Sequence, residues 1–302
     1  MSVKKTPHLM FICNQLLSKR ERLAMNNVTG TAFIVAEFRA EENEEALPLY
    51  TDHLVKIWLN EETKKVASQI AQNSPAAKEM VKLRTKYFDD VVSNQILGGC
   101  KQVVILGSGL DTRAARINGA GVIYFEIDDP ATLQLKEETL KANKVTANVR
   151  YLPGDYVKDG LISLLKQSEF DFERATYFLW EGNTTLLTKK DVIFVLEQIR
   201  DHVKSFRLSF DYMSEKVILR TTGYQDINDY IDKYESMYAP WITGFEKIAT
   251  LADELNLKVI ENFSTADLHA QYRPRRSLES NLFKFYFVCT LENAVGYVSQ
   301  EI

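Results

Sequence analysis

The sequence reads Lys101-Gln102-Val103-Val104-Ile105-Leu106-Gly107-Ser108-Gly109-Leu110-Asp111, an apolar segment that ends in two closely spaced glycines. A second apolar segment, Val122-Ile123-Tyr124-Phe125-Glu126-Ile127-Asp128, follows it and ends on an acid. Glycines let a backbone turn tightly and approach a ligand closely. A carboxylate at the end of the second strand can accept hydrogen bonds from ribose hydroxyls. The pattern predicts a parallel sheet that binds a nucleoside, with Gly107, Gly109 and Asp128 at the site.

The whole chain has the composition of an ordinary globular protein. Its 302 residues are 45% hydrophobic and 26% charged, with a net charge of −4 and a pI near 5.7. Proteins that bind nucleic acid usually have a basic domain or a basic stripe, and this net charge does not indicate one. No apolar run approaches the roughly 20 residues that a membrane helix needs, and the N-terminus lacks the apolar core of a signal peptide. We therefore expect a cytoplasmic protein that binds neither nucleic acid nor membrane.

Cysteine and histidine are few and scattered. The three cysteines, Cys13, Cys100 and Cys289, are widely spaced among apolar neighbours, which is typical of reduced, buried thiols rather than of disulfides. The four histidines form no pair at metal-ligand spacing. We therefore expect no metal site.

The predicted secondary structure changes near residue 100. Before it we predict helices and no strand, with helices at 14–25, 53–60, 61–73 and 76–97. After it, strands alternate with helices, which indicates parallel strands joined by right-handed crossovers. We predict strands at 102–106, 121–127, 148–152, 175–180, 206–211, 257–263 and 282–290. The division is thus a helical segment and lid over 1–100 and a nucleoside-binding domain over 101–302.

The last two strands decide which α/β fold this is. The strand at 282–290 follows the sixth strand with no room for a helix, so we expect a hairpin and an antiparallel return. Six parallel strands closed by one antiparallel strand make the Rossmann-like sheet of class I methyltransferases. Dinucleotide sites usually carry a third glycine, and Thr112 stands at that position. Both features favour S-adenosylmethionine over a nicotinamide cofactor, which remains the weaker alternative.

Four more side chains fit that cofactor. Asp155 and Tyr156 follow the third strand, where a carboxylate can accept from the adenine amine and a ring can stack on the base. Glu181 ends the fourth strand and could pair with the ligand's ammonium or sulfonium charge. Arg84 could hold the amino-acid carboxylate. The alternatives are that Asp155 caps a helix and that Arg84 is solvated.

The acceptor side is less sharply marked. Residues 212–245 form a tyrosine-rich insertion that leaves the carboxyl edge of the sheet, and we interpret it as a helical lid. We predict Tyr212 as a substrate residue, although core packing would explain the tyrosines equally well. Arg273 and Arg275 precede the last strand and could receive an acidic acceptor, unless that loop is merely solvated. No His/Asp pair stands out as a base, which favours a carboxylate or an acidic hydroxyl as acceptor.

Several motifs together resemble the leucine carboxyl methyltransferase family, which includes small-molecule O-methyltransferases of bacteria and fungi. The likeness covers roughly residues 28–290. The matching segments are Thr31-Ala32-Phe33-Ile34-Val35-Ala36-Glu37-Phe38-Arg39-Ala40, Arg84-Thr85-x-x-Phe88-Asp89-Asp90, Gln102-Val103-Val104-Ile105-Leu106-Gly107-x-Gly109-Leu110-Asp111-Thr112-Arg113, Phe125-Glu126-Ile127-Asp128-x-Pro130 with Lys136, Pro153-x-Asp155 and Trp180-Glu181-Gly182.

The resemblance implies roles for these residues. Arg84 would hold the methionine carboxylate above the glycine turn, Asp128 the ribose, Asp155 and Tyr156 the adenine, and Glu181 the methionine end. Glu126 is the second candidate for the ribose acid. The N-terminal helices and the insertion would cover a small-molecule acceptor.

One position departs from the family pattern. Leu186 stands where family members often carry a tyrosine near the acceptor, which puts a protein-tail substrate in doubt. Transfer to a protein C-terminal leucine carboxylate, and a binding protein without catalysis, remain the alternatives to small-molecule O-methylation.

Overall fold

The computed structural model describes residues 30–73, 75–237, 241–278 and 280–293. A seven-stranded sheet with strand order β3-β2-β1-β4-β5-β7-β6 forms its centre. Strand β7 runs antiparallel to both of its neighbours, and the other strands run parallel. The strands are β1 (Gln102–Leu106), β2 (Ile123–Asp128), β3 (Val149–Pro153), β4 (Thr176–Trp180), β5 (Phe206–Met213), β6 (Leu257–Ser264) and β7 (Tyr286–Asn293). The predicted sheet of six parallel strands and one antiparallel strand is confirmed.

Helices cover both faces of the sheet. Three precede the first strand: α1 (Gly30–Glu42), α2 (Glu61–Asn73) and α3 (Pro75–Leu97). The others are α4 (Arg113–Arg116), α5 (Pro130–Ala142), α6 (Leu161–Leu165), α7 (Lys189–His202), α8 (Glu215–Ile218), α9 (Gln225–Met237), α10 (Ile248–Glu254) and α11 (Thr265–Tyr272). Short 3-10 helices lie at Leu54–Trp58, Thr184–Leu186 and Asn281–Lys284, and a π-helical turn lies at Tyr156–Gly160.

The central strand β1 shows why the sheet is buried on both sides. All of its residues are buried. Val103 and Ile105 share a core with apolar residues of α3, whereas Val104 and Leu106 share a second core with apolar residues of α7. Successive side chains of a strand point to opposite faces. A continuous apolar strand is therefore what this two-sided core requires.

The connection between β6 and β7 differs from the prediction. Helix α11 lies there, and it begins with a capping box in which Ser264 and Asp267 bond each other's backbone N–H. Strand β7 begins at Tyr286, and the preceding Asn281–Lys284 is a 3-10 helix. The expected hairpin was therefore wrong, although the antiparallel direction was right. A helical connection can also return a chain in the antiparallel direction.

Smaller differences concern the ends of elements. The predicted helix at 53–60 is a 3-10 helix over Leu54–Trp58. The predicted helix at 14–25 lies outside the described residues. Strand β5 continues to Met213, so the insertion begins two residues later than predicted.

Cys100 and Cys289 are buried free thiols, as predicted, whereas Cys13 lies outside the described residues. Within the described ranges, no group of histidine, cysteine and acidic side chains could hold a metal ion. None of the helices described is long and apolar enough to span a membrane.

Candidate functional site

The glycine turn after β1 lies at the carboxyl edge of the sheet, against the end of β2. The N–H groups of Gly107 and Ser108 both donate to the carbonyl of Ile127, at 2.8 and 3.1 Å. Gly107 has a φ of +63°, and a Cβ atom there would lie 2.5 Å from the side chain of Asn183. A residue with a side chain would be strained in conformation and would also clash. Glycine therefore lets this turn approach the loop after β4.

Asp128 fastens the same turn to the end of β2. One carboxylate oxygen accepts the N–H of Gly109 at 2.6 Å, and the other accepts the N–H of Asp129 at 2.7 Å. Burial raises the pKa of Asp128, and these two hydrogen bonds oppose that shift. Glu126 is fully buried and forms an ion pair with the buried Lys136. Glu126 is thus used within the core, and Asp128 is the acid that faces the cavity.

Arg84 and Glu181 form the charged centre of the site. Arg84 Nε donates to Glu181 at 3.0 Å, and Arg84 Nη1 donates to Asp211 at 2.9 Å. The other oxygen of Glu181 accepts from Arg113 at 2.8 Å. Burial alone would lower the pKa of Arg84, but the charges around it raise that pKa further above its usual value. These groups form a connected ion-pair network that links α3 to the ends of β4 and β5.

Asp211 and Tyr286 belong to this centre, although they are absent from the sequence-based site. Asp211 accepts the N–H of Gly182 at 2.6 Å and is only 1% exposed. The hydroxyl of Tyr286 accepts from Arg84 Nη1 at 2.6 Å and donates to Asp211. A lone acid inside the apolar strand β5 was a usable signal, because β5 ends at the same edge as the glycine turn.

A polar cavity of about 240 Å³ lies over the glycine turn. Five of the predicted cofactor-binding residues line it, namely Arg84, Gly107, Gly109, Asp128 and Glu181. Asp111 also lines it, and its carboxylate accepts the backbone N–H of Arg113 at 2.6 Å. Burial would raise the pKa of Asp111, but the charges of Arg113, Lys136 and Arg39 hold it at about 2. The wall of this cavity is thus strongly charged.

An apolar cavity of about 130 Å³ adjoins the polar one. The two share lining residues, which are Thr31, Val35, Arg84, Gly182 and Leu186. The remaining walls of the apolar cavity come from α1, α3, the loop after β4, the insertion and β7: Ile34, Phe38, Ala77, Met80, Val81, Thr185, Tyr230, Trp241 and Tyr286. Leu186 lies at the junction, where the family pattern often carries a tyrosine.

Asp155 and Tyr156 line neither cavity. Asp155 accepts the N–H groups of Val157 and Lys158 at 3.0 and 3.1 Å, so it caps the π-helical turn. The hydroxyl of Tyr156 accepts from the indole N–H of Trp180 at 3.0 Å, and the two rings meet edge to face. The capping alternative is what the structure shows for Asp155. Contact of either residue with adenine stays a prediction.

Tyr212 lies on the wrong side of the sheet for its predicted substrate role. Its ring stacks on Phe287 with centroids 5.1 Å apart, and its hydroxyl donates to Asn262 at 3.0 Å. Side chains alternate along β5, so its neighbour Asp211 reaches the site and Tyr212 packs in the opposite core. The substrate role predicted for Tyr212 is therefore not supported, and core packing is.

The two predicted substrate arginines also lie elsewhere. Arg273 is buried and pairs with Glu42 at 2.7 and 2.8 Å, which ties the segment after α11 to the end of α1. Arg275 is exposed and borders a separate open groove. Neither lines the polar or the apolar cavity. They therefore give no support to an acidic acceptor.

The chain is similar to proteins that are already known. The family model described as leucine carboxyl methyltransferase matches residues 32–200. A protein of Mycolicibacterium smegmatis, named as a candidate S-adenosyl-L-methionine-dependent methyltransferase, is 34% identical over 172 residues, which cover 52% of this chain and 54% of that protein. A relative of the same name from Mycolicibacterium vanbaalenii is 35% identical over 174 residues, covering 52% and 57%. The chain thus spans about half the length of the curated relatives it matches.

Solved structures agree with the fold. A candidate methyltransferase from Thermobifida fusca has a TM-score of 0.57 at 17% identity and covers 85% of this chain and 94% of its own. A DUF574 family protein from Streptomyces avermitilis has a TM-score of 0.58 at 11% identity, and the match covers 85% of this chain and 96% of that protein. The fold is that of the class I methyltransferases. Because the family model matches more than half of the sequence, the chain belongs to the leucine carboxyl methyltransferase family.

Proposed function

We propose that the protein is an S-adenosylmethionine-dependent O-methyltransferase that acts on a carboxylate or hydroxyl of a small molecule. The observation that carries the proposal is the polar cavity, which brings Arg84, the glycine turn, Asp128 and Glu181 to one edge of the sheet. Family membership supports the same reaction class, as do the names of the relatives.

The residues of the polar cavity fit this cofactor. Arg84 and Glu181 present opposite charges 3.0 Å apart, and a zwitterionic amino-acid group carries the two matching charges. Arg84 would hold its carboxylate and Glu181 its ammonium. Asp128 would accept from the ribose hydroxyls. S-adenosylmethionine, when bound, supplies a methyl group on a positively charged sulfur.

The chain's own contribution to transfer is alignment and exclusion of water. Because the departing group would be a neutral thioether that needs no acid, the chain would mainly have to orient the acceptor and place charges around it. The apolar cavity adjoins the polar one at Arg84 and Gly182. It would hold the acceptor in a desolvated position beside the methyl group.

Transfer of a labelled methyl group tests the proposal. The protein is incubated with methyl-labelled S-adenosylmethionine and a panel of phenols, alcohols and carboxylic acids, and the products are identified by mass spectrometry. We expect labelled ester or ether together with S-adenosylhomocysteine. A peptide that ends in leucine is included to test the alternative of transfer to a protein C-terminal leucine carboxylate. Binding of the cofactor without turnover of any acceptor would favour a non-catalytic protein, and absence of binding would refute the proposal.

A further inference from the structure

The apolar cavity has a lining that restricts its occupant. Arg84 is the one charged side chain among the described residues that line it. Its Nε and Nη1 atoms already bond Glu181, Asp211 and Tyr286. Phe38, Tyr230, Trp241 and Tyr286 supply aromatic surface, and the rings of Tyr230 and Trp241 stack. Such walls favour an apolar, planar molecule.

The volume restricts its size. The cavity encloses about 130 Å³, and an apolar protein cavity of about 150 Å³ accommodates a benzene molecule. A single aromatic ring therefore matches this space.

The charge of the surrounding network disfavours an anion. Four arginines of this network pair with carboxylates, namely Arg39, Arg84, Arg113 and Arg116. Asp128 adds a further carboxylate at the wall of the polar cavity. The carboxylates are Asp52, Asp89, Asp111, Asp128, Glu181 and Asp211, two more than the arginines. Excess negative charge suits a cationic cofactor. A carboxylate acceptor would enter against that charge.

The hydrogen bonds of Tyr286 leave one position open. A guanidinium only donates, so the Tyr286 oxygen must accept from Arg84. A carboxylate only accepts, so the Tyr286 hydrogen must point to Asp211. A phenolic oxygen has two lone pairs, and this arrangement uses one of them. The second lone pair can accept a hydroxyl proton from a molecule in the apolar cavity, which Tyr286 lines.

We propose that the acceptor is a neutral single-ring phenol whose hydroxyl donates to Tyr286. This inference rests on the proposed function and narrows its substrate class. As the acceptor oxygen forms its bond to the methyl carbon, the bond from that carbon to sulfur breaks and the sulfur keeps the electron pair. The hydroxyl proton passes to Tyr286 Oη, and Tyr286 passes its own proton to Asp211. The products are an aryl methyl ether, a neutral thioether and a protonated Asp211, which returns its proton to solvent between turnovers.

Binding of two matched probes tests the acceptor class. Phenol and benzoate are titrated into the protein saturated with S-adenosylhomocysteine, and heats of binding are recorded. We expect phenol to bind at least tenfold more tightly than benzoate. We also expect Ala77→Phe, which fills the apolar cavity only, to abolish phenol binding while S-adenosylhomocysteine still binds. Equal or tighter binding of benzoate, or phenol binding that survives Ala77→Phe, would overturn the inference.

Kinetics of Tyr286→Phe tests the proton path. With phenol at pH 7 we expect kcat to fall about 100-fold, the usual size of a general-base contribution. The activity of this variant should then rise about tenfold per pH unit between pH 7 and 9, because the phenol ionises by itself with a pKa near 10. At pH 8, where 4-nitrophenol is largely ionised, both forms should methylate that nitrophenol at similar rates. An equal loss with phenol and nitrophenol would show a merely structural role.

Tyr87→Phe is the matched control. Tyr87 is also a buried tyrosine whose hydroxyl donates to a carboxylate, that of Glu261 at 2.7 Å, and it lines neither cavity. We expect its kcat with phenol to stay within threefold of the parent and its pH profile to be unchanged.

Binding of S-adenosylhomocysteine is measured first in the parent protein and in every variant. If it fails in the parent protein, the proposed function is wrong, whereas binding without any selectivity for phenol refutes the acceptor class alone.

Discussion

The polar and apolar cavities meet at Arg84 and Gly182 but are built in opposite ways. The charged wall of the polar cavity comes mainly from short motifs at the ends of β1, β2 and β4. The apolar cavity collects side chains from α1, α3, the insertion and β7, which are far apart in the sequence. A site made from strand ends can be read from local spacing, whereas a site made from distant helices cannot. The difference separates what binds the cofactor from what selects the acceptor.

Replacement of Arg84 by methionine should have the largest effect, because this residue serves both cavities. It leaves the buried Asp211 without its arginine and Glu181 with one arginine instead of two. Breaking a buried ion pair costs about 3–5 kcal/mol, so the free energy of unfolding in urea should fall by about that amount. Arg150→Met removes an exposed pair with Glu169 and should change stability by no more than about 0.5 kcal/mol. Equal effects of the two variants would refute the structural role of Arg84.

A change at Gly107 should break the polar cavity alone. Gly107→Ala combines a positive φ with a contact of 2.5 Å to Asn183 and should cost about 1–3 kcal/mol. We expect S-adenosylhomocysteine affinity to fall about 100-fold or more. Gly121 has a similar φ of +73° but open space around it, so Gly121→Ala should cost only about 1–2 kcal/mol and leave the affinity unchanged. Calorimetric titration of both variants compares them, and unchanged affinity in Gly107→Ala would contradict the assigned cavity.

The charge network of the polar cavity should appear as a pH dependence of stability. The pKa of Asp111 is lowered from 3.8 to about 2 in the folded protein. A lowered folded-state pKa contributes stability above the unfolded pKa, and that contribution is lost as pH falls from about 4 to about 2. The shift corresponds to ~2 kcal/mol. Urea unfolding is measured at several acidic pH values. The free energy of unfolding should depend less on pH in Asp111→Asn than in the parent protein, and an identical pH dependence would exclude the ion pairing of Asp111.

The smallest expected effect concerns Asp155, which lies outside both cavities. Asp155→Ala should lower stability by about 1 kcal/mol through loss of the cap, and Asp155→Ser should restore most of that loss. Thermal unfolding measures both. A tenfold loss of S-adenosylhomocysteine affinity in the serine variant would reveal the adenine contact predicted from the sequence. Unchanged affinity would leave capping as the sole role of Asp155.

The sheet was predictable because buried parallel strands are continuous apolar runs, and each of the seven lies close to its expected position. Helix α11 was missed because Thr265–Tyr272 is short, although its capping box at Ser264 and Asp267 was a readable start signal. Tyr212 was preferred to Asp211 because it belongs to a tyrosine-rich run. The prediction did not consider that neighbouring side chains of a strand point to opposite faces of the sheet.

Arg273 could not have been placed from the sequence, because nothing in its own segment reveals its partner Glu42, more than 200 positions away. Tyr286 was hidden for the same reason, since its partner Arg84 lies in the helical segment before the sheet.

Titration of S-adenosylhomocysteine into the parent protein and into Asp128→Ala tests the central claim most directly. We expect the parent to bind one equivalent, and the variant to bind about 10- to 100-fold more weakly. Loss of hydrogen bonds to a charged group costs roughly 1.5–3 kcal/mol, and each 1.4 kcal/mol is about tenfold in affinity. Circular dichroism confirms that the variant is folded. Unchanged affinity in Asp128→Ala, or absence of binding to the parent, would contradict the account.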